Sequence, residues 1–293
     1  MKILFVFNPR AGAGNNEPYL EKIISYCKNN RLDYKIYTVS KEKHEKELEE
    51  EISSYKPDAI IACGGDGTVN FVGSIVMGKD ILFSIIPLGS ANGLATALGL
   101  KRDIIFVLEK VQEGKFSKMD VLLLNSKFNC FHLSSVGFNA QLVKKYEKAN
   151  SKGMWGYARH FISTLLEKKP MSYTFQLNGT TISKHADMVT FANAKKYGTG
   201  AIINPDGKID DGKFEICIFR PFPVIEIFRM AYYFFFGNLK RSPLVKIVRT
   251  SKVVMTCKEK RTLEIDGDLV GEFDKISVEV QKGALKMIAG EVE

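Results

Sequence analysis

The residues of this chain with the clearest chemical potential form the run Gly64-Gly65-Asp66-Gly67-Thr68, which follows an apolar, strand-like segment at residues 58–63. Because glycine has no side chain, the backbone there can approach a polyphosphate closely and direct its N–H groups at the oxygens. A carboxylate and a hydroxyl within the run suit nucleotide chemistry as well. Gly-Asp-Gly is also common in ordinary strand-to-helix turns. The run taken alone therefore favours a phosphate site, with an ordinary turn as the alternative.

Two other loops, at residues 8–14 and 87–93, are similarly rich in Gly, Asn or Ser and also follow predicted strands. The predicted strands span residues 2–7, 34–38, 59–63 and 81–86, and the predicted helices span residues 18–29 and 43–55. This alternation is typical of a parallel sheet covered by helices. Ligands of such sheets bind beyond the carboxyl ends of the strands, so the three loops together predict one nucleotide site.

After Asp120 the pattern changes to short β-type segments with two helical stretches. The predicted strands span residues 121–124, 172–177, 188–191, 214–219, 245–257 and 276–280, and the predicted helices span residues 155–168 and 224–237. Asn178-Gly179 and Asp266-Gly267 favour hairpin turns. The sequence predicts an α/β nucleotide-binding domain with a Rossmann-like parallel sheet at residues 1–120. A mainly antiparallel β-rich domain is predicted at residues 121–293, and the return of a C-terminal strand to the first domain is left open.

The composition, 45% hydrophobic and 26% charged, is that of a soluble globular protein. No apolar run reaches the roughly 20 residues that a membrane-spanning helix requires, and the apolar N-terminus stops at Asn8. Five widely spaced cysteines without a C-x-x-C pair indicate reduced thiols. We therefore expect a cytoplasmic protein.

The net charge of +9 comes entirely from residues 121–293, because residues 1–120 carry 16 basic and 16 acidic side chains. A basic half can face nucleic acid, an anionic membrane or an acidic substrate, or it can be a solvated surface. No nucleic-acid motif is recognisable, so we expect no nucleic-acid partner.

The aromatic stretch at 224–237 has two interpretations. It is either a lipid-facing or interfacial wall or a helix buried on the β-rich domain. Basic side chains lie beside it in sequence, at Lys240, Arg241, Lys246 and Arg249.

Taken together, the motifs resemble the diacylglycerol kinase catalytic family, in particular its soluble bacterial lipid kinases, which are related to sphingosine and ceramide kinases and have an NAD kinase-like fold. The resemblance covers essentially the full length. It is carried by Asn8-Pro9-x-x-Gly12, Gly64 to Thr68 with Asn70, residues 87–92, Gly137-Phe138-Asn139-Ala140, residues 204–212 and Glu264-Ile265-Asp266-Gly267-Asp268. It implies ATP- and Mg²⁺-dependent phosphorylation of a lipid hydroxyl, with diacylglycerol as the expected acceptor, by peripheral contact with the inner membrane face.

The resemblance also implies roles for individual residues. ATP binding is assigned to Asn8, Pro9, Arg10, Ala11, Gly12, Ser40, Gly64, Gly65, Asp66, Gly67, Thr68, Val69, Asn70, Ser90 and Asn92. Thr38 is the alternative to Ser40. The Mg²⁺ that accompanies ATP is assigned to Asp66 and Asp120, since hard oxygen ligands suit that ion. A structural Mg²⁺ is assigned to the Asp211 side chain and the carbonyls of Lys208 and Lys213, with a solvated β-turn as the alternative.

The catalytic base is expected to be Asp266 or Asp268, since a carboxylate within hydrogen-bond reach can take the proton of a lipid hydroxyl. An ordinary Asp-Gly hairpin turn is the alternative interpretation. Two residues depart from the family pattern: Asp268 replaces the usual Glu, and Gly93 replaces the Asp that commonly follows Asn92. A sphingoid-base or other lipid kinase, an NAD kinase and a non-catalytic lipid or nucleotide sensor therefore remain alternatives. We leave open whether the chain forms a homodimer.

Overall fold

A computed structural model describes residues 1–12, 15–40, 44–137, 170–195, 202–226, 229–230, 232–233 and 239–290. The chain folds into two compact units. The first comprises Met1–Asp120 and Lys282–Glu293, and the second comprises Val121–Gln281. The C-terminal residues thus return to the first unit. No helix among the described residues is long and apolar enough to cross a membrane.

The first unit is built on a parallel sheet. Its elements are β1 (Lys2–Phe7), α1 (Glu17–Asn29), β2 (Asp33–Thr38), α2 (Glu45–Tyr55), β3 (Ala59–Gly64), α3 (Asp66–Val76), β4 (Leu82–Pro87), α4 (Gly93–Ala97), α5 (Ile104–Glu113) and the start of β5 (Ser117–Leu124). The strand order is β2–β1–β3–β4, and Lys286 and Met287 pair in parallel with β4. Every residue of β3 is buried, as expected for a strand whose two faces are both covered.

The second unit is mainly antiparallel β-structure. After the end of β5, its elements are β6 (Phe128–Cys130), β7 (Leu133–Gly137), β8 (Met171–Leu177), β9 (Thr180–Ala186), β10 (Met188–Ala192), β11 (Phe214–Phe219), β12 (Val245–Thr250), β13 (Lys252–Ile265), most of β14 (Asp268–Met287) and the 3₁₀ helices Val224–Glu226 and Leu239–Arg241. The strands follow the order β12–β11–β10–β7–β13–β14, and the β8–β9 hairpin pairs with the first half of β13. Alternating side chains of these strands form an apolar core around Phe175, Phe191 and Phe214.

Both predicted hairpin turns are present. Asn178 and Gly179 connect β8 to β9 with φ angles of +49° and +74°, and Asp266 and Gly267 connect β13 to β14 with φ angles of +50° and +96°. Two-residue hairpin loops favour positive φ at both central positions, which Asn-Gly and Asp-Gly adopt at low cost. The predicted fold class, an α/β domain followed by a β-rich domain, is confirmed.

Several predicted elements differ from the structure. The single strand predicted at 245–257 is wrong: β12 and β13 are separated at Ser251, where the buried Thr250 hydroxyl donates to the Lys252 carbonyl at 2.9 Å and so turns the chain. Of the helix predicted at 224–237, the structure describes the 3₁₀ turn Val224–Glu226 and helical residues at 229–230 and 232–233. The helix predicted at 155–168 lies outside the described residues. Helices α3, α4 and α5 and strands β6, β7 and β9 were not predicted.

Candidate functional site

The loops after β1 and β3 are joined by one side-chain hydrogen bond. Asn8, the first residue after β1, donates from Nδ2 to the hydroxyl of Thr68 at 2.9 Å. Its backbone N–H also donates to the carbonyl of Cys63 at 2.9 Å, and the N–H of Leu88 donates to the carbonyl of Gly64 at 2.9 Å. Three loops that are far apart in sequence therefore begin side by side at the carboxyl edge of the sheet, as the sequence predicted.

Glycines allow the backbones of these loops to touch. A Cβ at Gly89 would lie 2.4 Å from the Cα of Gly65, and a Cβ at Gly12 would lie 2.6 Å from the carbonyl oxygen of Leu88. Gly12 also has a φ of +70°, which L side chains rarely adopt. The glycines of the three loops thus allow close contacts between the loops.

A buried asparagine that the sequence analysis missed holds the first loop in shape. Asn16 is 5% exposed, and its Nδ2 faces the carbonyl of Ala11 at 2.8 Å and those of Pro9 and Asn8 at 3.3 and 3.4 Å. Asn16 directly precedes helix α1, which has Pro18 in its first turn. An asparagine close to the start of a predicted helix was the sequence signal that could have drawn attention to Asn16. Its contacts with the first loop could not be predicted, because they depend on tertiary structure.

Asn92, predicted to bind ATP, is used to fix the third loop. Its Oδ1 accepts from the N–H of Gly89 and its Nδ2 donates to the carbonyl of Gly89, both at 2.8 Å. Asn92 has a φ of +52° and precedes α4. Asparagine tolerates this left-handed conformation better than most residues. The side chain therefore positions the loop.

A cavity of about 420 Å³ lies where the first and third loops meet. Its described lining comes from four segments: Ala11 and Gly12, then Asn15, Asn16 and Tyr19 at the start of α1, then Leu88, Gly89 and Ser90, and finally Arg102. Ala11, Gly12 and Ser90 were predicted to bind ATP. Asn8, Pro9 and Arg10 directly precede the lining residue Ala11 in sequence. Ser40, its alternative Thr38 and the predicted residues of the second loop are not among the described lining residues.

The second loop leads into the amino terminus of α3. Gly65 caps this helix, and its carbonyl accepts from the N–H groups of Thr68 and Val69 at 2.9 and 3.0 Å. A helix amino terminus carries partial positive charge and favours phosphate groups. Asp66 and Gly67 in the first turn are half-buried, as is Asn70, whereas Thr68 and Val69 are buried. Pro9 and Arg10 are exposed, and the Arg10 N–H donates to Oδ1 of Asn8 at 3.0 Å.

The two carboxylates assigned to the Mg²⁺ of ATP differ sharply in environment. The half-buried Asp66 is the first residue of α3, and its carboxylate suits a hard cation. Asp120 is completely buried, and its Oδ1 accepts from the N–H of Gly283 at 2.7 Å. Asp120 therefore anchors the returning C-terminal segment within the first unit. No group of three or more His, Cys, Asp or Glu side chains that could hold a metal ion occurs in the described part of the chain.

The two candidate bases also differ. Asp266 turns its carboxylate onto the loop before β7, where it accepts from the backbone N–H groups of Phe131, His132 and Leu133 at 2.9, 2.9 and 3.1 Å. Asp268 is exposed at the start of β14, and within the described residues no hydrogen bond or ion pair engages its carboxylate. The structure thus gives Asp266 an anchoring role and leaves Asp268 available to a reactant.

The surroundings of Asp266 are themselves buried and polar. The thiol of Cys130 lies 3.5 Å from Oδ1 of Asp266, and burial, with the nearby Asp266 charge as a smaller cause, raises the pKa of that thiol well above its ordinary value. The thiol stays protonated and can donate. Glu264, 5% exposed, accepts from the N–H of Gly267 at 2.7 Å and from the Ser135 hydroxyl. These bonds hold the Asp266 turn in one conformation.

The loop assigned to a structural Mg²⁺ pairs with a cationic side chain of β12, Arg249. Oδ1 of Asp211 accepts from the N–H of Lys213 at 3.0 Å, and Oδ2 pairs with the guanidinium of Arg249. The same guanidinium lies 3.3 Å from Oε1 of Glu215, whose other oxygen accepts from Asn204. Burial raises the pKa of Glu215, although Asn204 and Arg249 oppose this shift. Both carboxylate oxygens of Asp211 thus have protein donors, so a metal ion at this loop would have to compete with Arg249 for Asp211.

Next to this loop, the second unit has a polar cavity of about 350 Å³. Its lining includes Asn204, Glu215 and Arg249, and also Asp206 and Lys240, which form an ion pair with each other. The acidic and basic groups of this cavity therefore neutralise one another.

Comparison with protein families covers nearly the whole chain. Residues 2–124 match the diacylglycerol kinase catalytic domain, and residues 133–289 match the YegS C-terminal NAD kinase beta sandwich-like domain. The boundary between these two matches lies close to the change from the first structural unit to the second.

Curated relatives and solved structures agree with these matches. A "Probable lipid kinase YegS-like" of Klebsiella pneumoniae is 23% identical over 88% of this chain and 86% of its own length, and a "Diacylglycerol kinase" of Bacillus subtilis is 25% identical over 74% of each chain. The chain also matches an uncharacterized Synechocystis protein at 26% identity, but it spans only 65% of that protein. The crystal structure of a diacylglycerol kinase from Bacillus anthracis superposes over 99% of this chain and 97% of its own, with a TM-score of 0.74 at 20% identity, and so shares the fold.

Proposed function

Because this chain belongs to the diacylglycerol kinase catalytic family of lipid kinases, we propose that it transfers the γ-phosphoryl group of ATP to the hydroxyl of diacylglycerol and forms phosphatidic acid. The observation that carries the nucleotide half of this proposal is the convergence of the loops after β1, β3 and β4 at one edge of the sheet. A 420 Å³ cavity lies between the first and third of these loops. Phosphoryl transfer depends mainly on positioning and on neutralising phosphate charge, which such a cradle provides.

The residues of the first unit divide this task. The glycine loops and the amino terminus of α3 offer backbone N–H groups to the phosphates, and the exposed Ser90 adds a hydroxyl at the cavity wall. Asp66 would hold Mg²⁺, which when bound neutralises charge on the β- and γ-phosphates. The side chains of Asn8, Asn16 and Asn92 fix the loops through hydrogen bonds. Asp120 is completely buried and its Oδ1 accepts from the N–H of Gly283, so we assign it an anchoring role in the first unit.

For the acceptor we propose that Asp268 serves as the base. A lipid hydroxyl is a weak nucleophile, and a carboxylate can take its proton as the phosphorus is attacked. The exposure of Asp268 supports this choice, whereas the three backbone N–H groups on Asp266 support a positioning role for Asp266. The shorter side chain of Asp, where the family usually has Glu, moves the carboxylate about one carbon–carbon bond closer to the backbone.

The acceptor is a membrane lipid, so the proposal includes peripheral contact with an anionic membrane. Supporting features of the second unit are the exposed apolar side chains Ile225 and Tyr232, which are 71% and 57% exposed, near Arg229 in sequence. Apolar side chains beside basic ones favour interfacial binding.

In the test, purified protein is incubated with labelled ATP, Mg²⁺ and one candidate acceptor in each reaction. The acceptors are diacylglycerol, monoacylglycerol, a sphingoid base, phosphatidylglycerol and NAD. We expect the label in phosphatidic acid, and we expect the Asp268→Asn variant to lose this product while it retains ATP binding. Label in NAD alone, or in a sphingoid base alone, would replace the proposed acceptor. Label in no acceptor would favour a non-catalytic sensor.

A further inference from the structure

Arg102 is the charged side chain at the cavity of the first unit. The other described residues that line this cavity are neutral, whereas Arg102 carries a full positive charge that no carboxylate of the described residues neutralises. It lies in the short connection between α4 and α5 and is exposed. A permanent cation at the mouth of a cavity lined by N–H groups and hydroxyls favours an anionic ligand.

The single bond that Arg102 makes in the described structure does not explain its presence. Its Nη2 donates to the carbonyl of Gly89. That carbonyl already accepts from Nδ2 of Asn92, and the Gly89 N–H is bound to Oδ1 of the same residue. The third loop is therefore held without Arg102. A guanidinium has five N–H donors, so most of the hydrogen-bonding capacity of Arg102 remains for a ligand.

The backbone around Arg102 is well fixed. Asp103 caps α5, and its Oδ1 accepts from the N–H groups of Ile105 and Phe106 at 3.0 and 3.3 Å. On the other side, the N–H of Leu100 donates to the carbonyl of Ala95 at 2.9 Å. The side chain thus starts from a position set by both helices, and the bond to Gly89 directs it toward Ser90.

We propose that Arg102 binds a phosphate group of the nucleotide, from the side of the third loop and opposite the first loop. This inference rests on the proposed function, because it assumes that the cavity takes ATP. Arginine suits the role since its planar fork can form two charge-assisted hydrogen bonds to one phosphate. Arg102 is then a ligand-binding residue, and it supplies positive charge to a cavity whose other described lining residues are neutral.

The test measures equilibrium binding of ATP, ADP, AMP and adenosine to the wild type, Arg102→Met and Arg102→Lys. The matched control is Lys101→Met, which removes the same charge from the exposed neighbouring residue. We expect Arg102→Met to weaken ATP binding roughly tenfold or more, as for the loss of a charge-assisted hydrogen bond. The loss should shrink as phosphates are removed, disappear for adenosine, and be partly restored in Arg102→Lys, while Lys101→Met should bind like the wild type.

Two results would overturn the inference. One is ATP affinity in Arg102→Met equal to that of Lys101→Met, and the other is an equal loss for adenosine and ATP, which would indicate a structural role. If the wild type binds ATP through Arg102 but phosphorylates no lipid, the proposed function fails and the inference about Arg102 stands. A wild type that binds no adenine nucleotide would overturn both.

Discussion

The side-chain amide of Asn8 donates a 2.9 Å hydrogen bond to the hydroxyl of Thr68, and this bond joins the loop after β1 to the loop after β3. Thr68 is 2% exposed, so little water is available to replace the bond. Two short motifs that lie 60 residues apart in sequence are thereby held in one fixed geometry. The geometry of the proposed nucleotide site therefore depends on this hydrogen bond as well as on the glycines.

Breaking this bond should lower both stability and ATP affinity. We expect Asn8→Ala and Thr68→Val each to reduce the free energy of unfolding by about 1–2 kcal/mol, since each leaves a buried polar group without its partner. In a double-mutant cycle measured by urea unfolding, the two changes should couple by about 1 kcal/mol. Additive effects would show that the bond contributes nothing to the folded protein.

The close contact of Gly65 with Gly89 predicts a selective loss of function. A methyl group at residue 89 would lie 2.4 Å from the Cα of Gly65, so Gly89→Ala must separate the two loops. We expect this variant to lose measurable ATP binding. Gly114→Ala is the control, because Gly114 has a φ of +66° and open space around it. That change should cost only about 1–2 kcal/mol of stability and leave ATP binding intact. Equal ATP affinity in both variants would refute the role assigned to this contact.

The sequence predicted the parallel sheet and its three loops well, because β1 and β3 are continuous apolar segments and each loop is rich in glycine or asparagine. It also predicted both two-residue hairpins from their Asn-Gly and Asp-Gly pairs. Helix α3 was missed because the glycine run was interpreted as a loop alone, although its last three residues, Asp66 to Thr68, form the first turn of that helix.

The roles of individual polar residues were harder to predict. Asp120 and Asp211 carry the expected carboxylates, but one is buried on a backbone N–H and the other pairs with Arg249, and both partners are distant in sequence. Asn16 and Arg102 belong to no recognisable sequence motif. They were identified only because both line the cavity that the folded chain forms. Such contacts depend on tertiary geometry that single-sequence patterns do not contain.

Substitution of Asp268 and substitution of Asp266 should have different effects on catalysis and on stability. Asp268→Asn should lower kcat by about 10²- to 10⁴-fold, the usual contribution of a general base, without changing ATP affinity or the melting temperature. Asp266→Asn should instead lower the free energy of unfolding by about 1–3 kcal/mol, because an amide cannot accept from three N–H groups in the same way. Steady-state kinetics and thermal melts check both. An Asp266→Asn variant that melts like the wild type but has lost turnover would transfer the role of base to Asp266.

Arg249 should be a determinant of stability in the second unit. Arg249→Met removes the cation shared by Asp211 and the buried Glu215, and we expect a loss of about 1–3 kcal/mol in unfolding free energy. Arg249→Lys should recover only part of it, since an ammonium group lacks the planar fork. Because Arg249 already pairs with Asp211, the wild type without nucleotide should melt at the same temperature in Mg²⁺ and in EDTA. A Mg²⁺-dependent rise that disappears in Asp211→Asn would show that the loop binds metal after all.

The most direct test of the central claim measures both products of the reaction in one sample. Purified protein is incubated with ATP, Mg²⁺ and vesicles that contain diacylglycerol, and ADP and phosphatidic acid are quantified over time. The proposed function predicts that both form at the same rate, in a one-to-one ratio, and that neither forms above background in Asp268→Asn. Formation of ADP without phosphatidic acid, or of neither product by the wild type, would contradict the assignment of this chain as a kinase of diacylglycerol.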